Sequence, residues 1–333
     1  MATATPRWQY DQDTLLRMAG YADHRRAGFF TNSQIERRCL YFDPDTFTPD
    51  ESVDDLQERF RRGAIELGAE AVRRAVARAG WRLDEVDFLA TTTCTGRLCP
   101  SLDAQIIAEL GLAPRIQRVH VGDTGCASAM VALQQASNHV SAFPGHRAVV
   151  VAVELCSAAY YLDDRLESAV AHAIFADGAG AIALAGAGDG PAIVEHRTLF
   201  RSEHLPAMGF EYPGGRPRVV LSKEVRRIGG DMMKEMADTL MATHGLKKDD
   251  VRHFVLHSAG RRVIEQARRL MELADDDVAA SRLVLREFGN MSSATIVFVL
   301  DEVLRRGRAA PGDWGLMIAL GPGFAAEGAL LRF

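Results

Sequence analysis

Cys126 stands in the stretch VGDTGCASAMVAL (Val121 to Leu133), between an apolar strand pattern, RIQRVHV, and a run of small and apolar residues suited to a buried helix. Gly122 and Gly125 supply the turn between them. A thiol at a helix N-terminus faces orphan amide N–H groups and the positive end of the dipole, which predicts a pKa below the ordinary value of about 8.5 and a thiolate nucleophile. The competing role is a small buried apolar residue, the commonest fate of a lone cysteine. A cysteine nucleophile needs a base or charge partner, and carbonyl chemistry needs donors aimed at a developing oxyanion. Two later positions have the right chemistry. His257 ends the strand pattern FVLH just before Ser258-Ala259-Gly260, so its imidazole is expected at the mouth of a sheet. Asn290 lies in FGNMSS, on a loop at the N-terminal side of an apolar helix. Taken singly, each is better explained structurally, His257 as a satisfied core histidine and Asn290 as a helix N-cap.

Other chemistries are excluded by spacing. His253 and His257 are four apart, but RHFVLH reads as strand, and four strand residues span about 13 Å, too far for one metal ion. No GxxxxGK[ST] or GxGxxG leads a strand into a helix, so nucleotide binding is not expected. The five cysteines (Cys39, Cys94, Cys99, Cys126, Cys156) form no CxxC pair and predict neither a disulfide framework nor a zinc ribbon.

The elements that must position these residues alternate. With 47% hydrophobic and 25% charged residues, the 333-residue chain has the composition of a folded globular protein. Its formal charge of -5 gives no reason to expect a nucleic-acid partner. No apolar run approaches the roughly 20 residues of a membrane helix and MATATPRWQY has no signal-peptide core, so a cytoplasmic protein is expected. The first sixty residues read as short helices and loops forming a cap, and Glu51 to Gly80 as an amphipathic helix stopped by Gly80. Then follow the strand VDFLATTT, the helix SLDAQIIAELGL, the RVHV strand, the Cys126 helix and the buried strand AVVVAVEL, the alternation of an α/β layered core. The second half repeats the alternation: AIFADGAGAIALAG, a helix near Lys223 to His244, RHFVLHSAG, the helices RRVIEQARRLMEL and SSATIVFVLDEVLRRG, then the strands WGLMIALGPGF and AAEGALLRF around a Gly-Pro-Gly turn. The weakest point lies at GAGDGP (Gly186 to Pro191), which divides the chain into residues 1–187, carrying the cysteine, and 188–333, carrying His257 and Asn290.

Together, Cys126 in VGDTGCASA, His257 in HSAG, Asn290 in FGNMSSA, AIFADGAGA and ALGPGFAAEG resemble the type III polyketide synthases, relatives of chalcone synthase. TTTCTGRLCPSLD, VELCS and NSQIERRCLY extend the resemblance over nearly the whole chain. It implies a thiolase-like α/β fold, with two related halves in five α-β-α-β-α layers, and a homodimer. It implies Cys126 as the acyl-accepting nucleophile, His257 as stabiliser of its thiolate, and His257 with Asn290 as holders of the malonyl thioester carbonyl. Decarboxylation then gives an enolate that attacks the acyl group, with cyclisation to an aromatic or pyrone product. By the same resemblance Phe175 is the gatekeeper of the cavity. Cys94, Cys99, Cys156, Ala159, Tyr160, Val219 and Ser292 fall at cavity-lining positions, and Gly321, Pro322 and Gly323 match the loop that shapes its floor. No metal or cofactor is implied beyond the acyl carrier, whether coenzyme A or acyl carrier protein.

Three departures set the alternatives. Where the family has Pro-Gly-Gly after the histidine, this chain has Ser258-Ala259-Gly260 followed by Arg261 and Arg262; Arg262 sits at the offset of an arginine that faces the carrier protein in ketoacyl-ACP synthase III. Arg25 or Arg26 matches one of the family's basic CoA-phosphate ligands, while Gly28 and Asn32 replace the later ones. Little precedes MATATP, so the first strand is expected to be shortened or missing. The rivals are a stand-alone, carrier-protein-dependent condensing enzyme, a Cys-dependent acyltransferase without decarboxylation, and a scaffold subunit. The last is expected to lack one of the three catalytic residues, and all three are present.

Overall fold

The computed structural model describes residues 1–48, 50–159 and 163–333. In chain order the strands are β1 (Ala2–Ala4), β2 (Gln9–Asp11), β3 (Arg37–Cys39), β4 (Phe88–Thr93), β5 (Gln117–Gly122), β6 (Arg147–Leu155) and β7 (Asp177–Ala185). They continue as β8 (Ala192–Phe200), β9 (Met208–Glu211), β10 (Arg218–Leu221), β11 (Val251–Leu256), β12 (Trp314–Gly321) and β13 (Ala325–Arg332). A five-stranded sheet has the order β1-β7-β6-β4-β5, and a four-stranded sheet the order β11-β12-β13-β8. β4 runs parallel to β5 and β6, and β11 parallel to β12; the remaining pairs in both sheets are antiparallel.

The apolar run of β6 is buried on both faces because it serves two layers. Ala148, Val150 and Ala152 join the core formed with the helices Ser128–Ala142 and Thr295–Arg305, whereas Val149, Val151, Val153 and Leu155 pack toward the long helix Val53–Arg78. β12 repeats this alternation: Met317 and Ala319 face the same central helices, and Leu316, Ile318 and Leu320 face the helices Val225–Thr243 and Arg261–Leu270. The strand period of two thus generates five layers, with helices outside both sheets and between them. This is the thiolase-like arrangement. The long helix Val53–Arg78 begins at a capping box, in which Asp55 N donates to Ser52 Oγ at 3.1 Å and Ser52 N donates to Asp55 Oδ2 at 3.0 Å.

The N-terminal region keeps the first strand in the shortened form that was one of the two expectations, and it adds the β2–β3 pair to the expected short helices and loops. The first strand is present, reduced to three residues, with Ala2 and Ala4 pairing with Ala181 and Ala179 of β7. Tyr10, Tyr21, Phe30 and Phe42 form a separate cluster with Ala169 and Ala173 of the helix Leu166–Ile174. The cap is therefore packed against an element that leads into the site. Strand β8, the β9–β10 hairpin and the helices Leu166–Ile174 and Ala279–Phe288 are additional to the expected elements. β8 has a mixed, half-exposed pattern that gives no strict alternation to read.

Three histidines are held neutral by burial: His172, His196 and His257 are pushed down by desolvation to about 3, about 4 and about 4, respectively. Their folded pKa values lie below the unfolded value of 6.5. Their contribution to stability is therefore fully present above that pH and is lost as the pH falls toward 4. Asp177, raised by burial to about 6, acts in the opposite sense, losing its contribution as the pH rises through that value. Urea denaturation between pH 7 and pH 5 should therefore show a smaller loss of stability on acidification for His196→Gln than for the parent chain. Parallel curves for the two would contradict the neutral burial of His196.

Candidate active site

Cys126 lies on the tight turn Gly125–Ala127, which leads directly into the helix Ser128–Ala142. Gly125 has φ +62°, and a Cβ there would overlap the Pro322 ring, so the turn closes only with glycine. Gly321 packs on the same turn: a Cβ on it would come 2.8 Å from Thr124 O and 2.9 Å from the Ala127 methyl. The β12–β13 turn thus seats the Cys126 turn from below.

A second turn of the same kind, Ser292–Ala294, opens the other central helix, Thr295–Arg305. Ser292 Oγ lies 3.2 Å from Cys126 Sγ and 3.2 Å from Cys94 Sγ. Ser292 N donates to Asn290 Oδ1 at 2.9 Å, and Thr295 Oγ1 donates to the same oxygen at 3.2 Å. These two donors orient the Asn290 amide, whose Nδ2 donates to Ala259 O at 3.3 Å and retains a second N–H. Ala259 follows the end of β11 by three residues, and His257 N donates to Ile318 O at 3.0 Å. The hydrogen bonds therefore run from Cys126 through Ser292 to Asn290 and on to the segment that carries His257. Both ring nitrogens of His257 are buried without a hydrogen-bond partner among the described residues. Such a group costs about 1–3 kcal/mol and is retained where function requires it.

Glu154 is the residue that sequence reasoning missed. It is fully buried at the end of β6, and its Oε2 accepts from Thr95 Oγ1 at 2.9 Å, Cys94 N at 3.1 Å and Thr93 Oγ1 at 3.2 Å, while Oε1 accepts from Ser293 Oγ. The signal was available as the one acid in AVVVAVEL. Desolvation raises its pKa, with these donors acting against the rise.

The expectation of an acidic Cys126 thiol is corrected. Desolvation pushes it up to about 12, against a weaker opposing effect of the Ser292 hydroxyl. Burial outweighs the helix terminus, and the same cause raises Cys94 and Cys156. His257 is pushed down to about 4 by the same desolvation. Burial therefore disfavours a lone charge on either residue.

Cys126 opens onto a cavity of about 220 Å³. Of the expected lining residues, Cys94, Cys156, Ala159, Phe175, Val219, Ser292 and Pro322 line it. Cys99 is exposed and does not line it, which corrects that assignment; it follows the turn after β4, where the chain has left the cavity wall. Gly321 and Gly323 also do not line it; Gly321 backs the cysteine turn, and a Cβ on Gly323 would strike Phe200. Tyr160 lies outside the described residues. Residues not anticipated include His172, whose Nδ1 lies 2.7 Å from Tyr21 OH, together with Met208, Phe210 and Leu221 of the β9–β10 hairpin. At the rim, Arg97 pairs with Asp123 at 2.9 Å, beside Tyr212. Among the basic candidates, Arg25, Arg261 and Arg262 are exposed, whereas Arg26 is engaged by Asp164, donating to its carbonyl at 2.7 Å. No helix among the described residues is long and apolar enough to cross a membrane.

Comparison with known proteins agrees with this geometry. Residues 36–189 match the family of chalcone and stilbene synthases, N-terminal domain, and residues 241–333 match the 3-oxoacyl-[acyl-carrier-protein (ACP)] synthase III C-terminal family. A 3,5-dihydroxyphenylacetyl-CoA synthase of Streptomyces toyocaensis is 34% identical, covering 100% of this chain and 89% of its own. A 1,3,6,8-tetrahydroxynaphthalene synthase of Streptomyces peucetius subsp. caesius is 32% identical over 81% of this chain and 73% of its own. The crystal structure of 1,3,6,8-tetrahydroxynaphthalene synthase from Streptomyces coelicolor A3(2), a bacterial type III polyketide synthase, shares the fold with a TM-score of 0.93 at 23% identity, covering 100% of this chain and 97% of that one. With a relative this similar along its entire length and a chalcone synthase-type half around the cysteine, the chain belongs to the type III polyketide synthases, acyltransferases of the thiolase fold.

Proposed function

We propose that Cys126, His257 and Asn290 are the catalytic residues of this polyketide synthase and that coenzyme A thioesters are its substrates. The observation that carries the assignment is the imidazole of His257, buried with no hydrogen-bond partner among the described residues and two residues before the Ala259 carbonyl at which the hydrogen-bonded path from Cys126 through Asn290 ends. His257 is neutral and can take the Cys126 proton as the thiol attacks the acyl thioester; the carbonyl collapses and coenzyme A leaves as the thiol. Malonyl thioester then places its carbonyl oxygen against His257 N–H and the remaining N–H of Asn290. As the bond to the carboxylate breaks, its electron pair forms an enolate whose oxygen these donors stabilise, and CO2 leaves. The enolate carbon attacks the acyl carbonyl and the Cys126 sulfur departs, giving a chain longer by one ketide unit.

Phe175 and Val219 act as gates, and the small residues Cys94, Cys156 and Ala159 set the space for the growing chain. The relatives named for a dihydroxyphenylacetyl thioester and a tetrahydroxynaphthalene support a cyclised aromatic product. Arg25, Arg261 and Arg262 supply the positive charge for the carrier's phosphates, and the reaction needs no further cofactor. The two halves divide at residues 187/188, in the loop between β7 and β8, and the enzyme works in the cytoplasm. It acts as a homodimer. The support for the dimer is β5, whose outer edge pairs with no strand among the described residues, since an open edge is a template for pairing with another chain.

After incubation with acyl-CoA, the intact mass of the parent chain should rise by one acyl group, and Cys126→Ala should show no rise and no product. Labelling from acyl carrier protein alone would replace this reading with the carrier-dependent condensing enzyme. His257→Ala and Asn290→Ala should each slow CO2 release from malonyl-CoA by about a hundredfold or more, the scale of losing one oxyanion donor; unchanged release would remove that residue from the site. Light scattering in solution should return the mass of two chains, and a monomer across the micromolar range would refute the dimer.

A further inference from the structure

Arg38, on β3, is a fully buried side chain with 0% exposure. A guanidinium so placed is costly unless its donors are used. Its Nη1 donates to Phe175 O at 2.7 Å and its Nε to Gln12 Oε1 at 3.0 Å. Gln12, also buried, donates through Nε2 to Ala173 O at 2.8 Å and to Ser33 Oγ at 2.8 Å. Arg38 and Gln12 together therefore hold two carbonyls at the C-terminal end of the helix Leu166–Ile174, where carbonyls lack intrahelical partners and the dipole favours a cation.

Backbone groups next to those carbonyls go to Asn290. Asn290 N donates to Ile174 O at 2.8 Å, and Ala176 N donates to Asn290 O at 2.9 Å, a short parallel bridge between Phe175 and Asn290. The Arg38 stem also packs on the residue before Asn290: Gly289 has φ +74°, and a Cβ on it would lie 2.8 Å from Arg38 Cδ and 2.9 Å from Ile174 O. One buried side chain thus touches both strands of the bridge. Phe175 projects from it into the cavity wall, and Asn290 continues from it to Ser292 and Cys126.

We propose that Arg38, held by Gln12, is a positioning residue that sets Phe175 and Asn290 in register with Cys126. The inference rests on the reading of Asn290 as an oxyanion donor. Arg38 touches no reacting atom; it acts by fixing the backbone on which the donor and the gate are carried. Lysine cannot replace it, because a single ammonium lacks the planar fork that reaches Gln12 and Phe175 O together.

The test compares Arg38→Lys and Gln12→Met, each alone and combined with Asn290→Ala. Cys126 loading by intact mass, CO2 release from malonyl-CoA with kcat and KM separated, and thermal unfolding are measured for each. With Asn290 intact, both variants should load Cys126 normally while kcat for CO2 release falls about tenfold or more, the scale of a small misplacement of a catalytic group. With Asn290→Ala already present, either change should add less than about a twofold loss, because the donor it positions is gone. Equal losses on both backgrounds, or no loss on either, would overturn the proposal. Gln12→Met removes no charge and decides the matter where Arg38→Lys fails to fold. Failure of the underlying assignment shows separately, as Asn290→Ala alone leaving CO2 release unchanged.

Discussion

A serine hydroxyl 3.2 Å from the Cys126 sulfur joins two stretches of chain 166 residues apart, and the rest of the structure is arranged to keep that contact. Ser292 and Cys126 stand on the opening turns of the two helices that lie between the sheets. Because both helices belong to the same central core, packing that core brings their first turns together. The contact depends on close approach at the β12–β13 turn, where Gly321 and Pro322 press against the cysteine turn and leave no room for a side chain on Gly125. Core packing of this density transmits small volume changes, so the sulfur's position follows from residues that never meet a substrate.

Burial at the centre of five layers also decides the electrostatics. Removing water raises Cys94, Cys126, Cys156 and Glu154 and lowers His257, all with desolvation as the largest cause. Two of the buried polar groups are treated differently. Glu154 is surrounded by donors from β4, the turn after it and the Ser293 hydroxyl, which makes it a structural tie between β6 and the Asn290 turn. His257 receives no partner among the described residues. A buried carboxyl satisfied on all sides holds a fold together, whereas a buried imidazole left with both nitrogens open is suited to exchange a proton.

Much of the core was legible because it obeys simple periods. VDFLATTT and AVVVAVEL read as strands buried on both faces, and Glu51 to Gly80 reads as a helix from its apolar spacing and terminal glycine, with the helix itself at Val53–Arg78. The half-exposed β8 and the β9–β10 hairpin were not legible: their side chains alternate between partial burial states and carry no clean period. The hairpin matters because Met208, Phe210, Val219 and Leu221 form one wall of the cavity. Cys99 shows the converse failure, a residue whose motif suggested the cavity but whose turn carries it to the surface.

The sequence by itself determined the layered α/β class and most of its long elements, because local periodicity is written residue by residue, and its resemblance to a family singled out Cys126, His257 and Asn290 as the candidates for catalysis. It could not determine the ionisation of the thiol. The helix N-terminus argued for a low pKa, and desolvation, which depends on what the rest of the chain places around the sulfur, reversed that. Nor could it show that Glu154 ties the site together or that Arg38 spans from the N-terminal cap to Phe175, since both depend on groups more than fifty residues away. Hydrogen bonds and burial between distant segments exist only once the sheets and central helices have packed, and that packing is what tertiary structure alone decided.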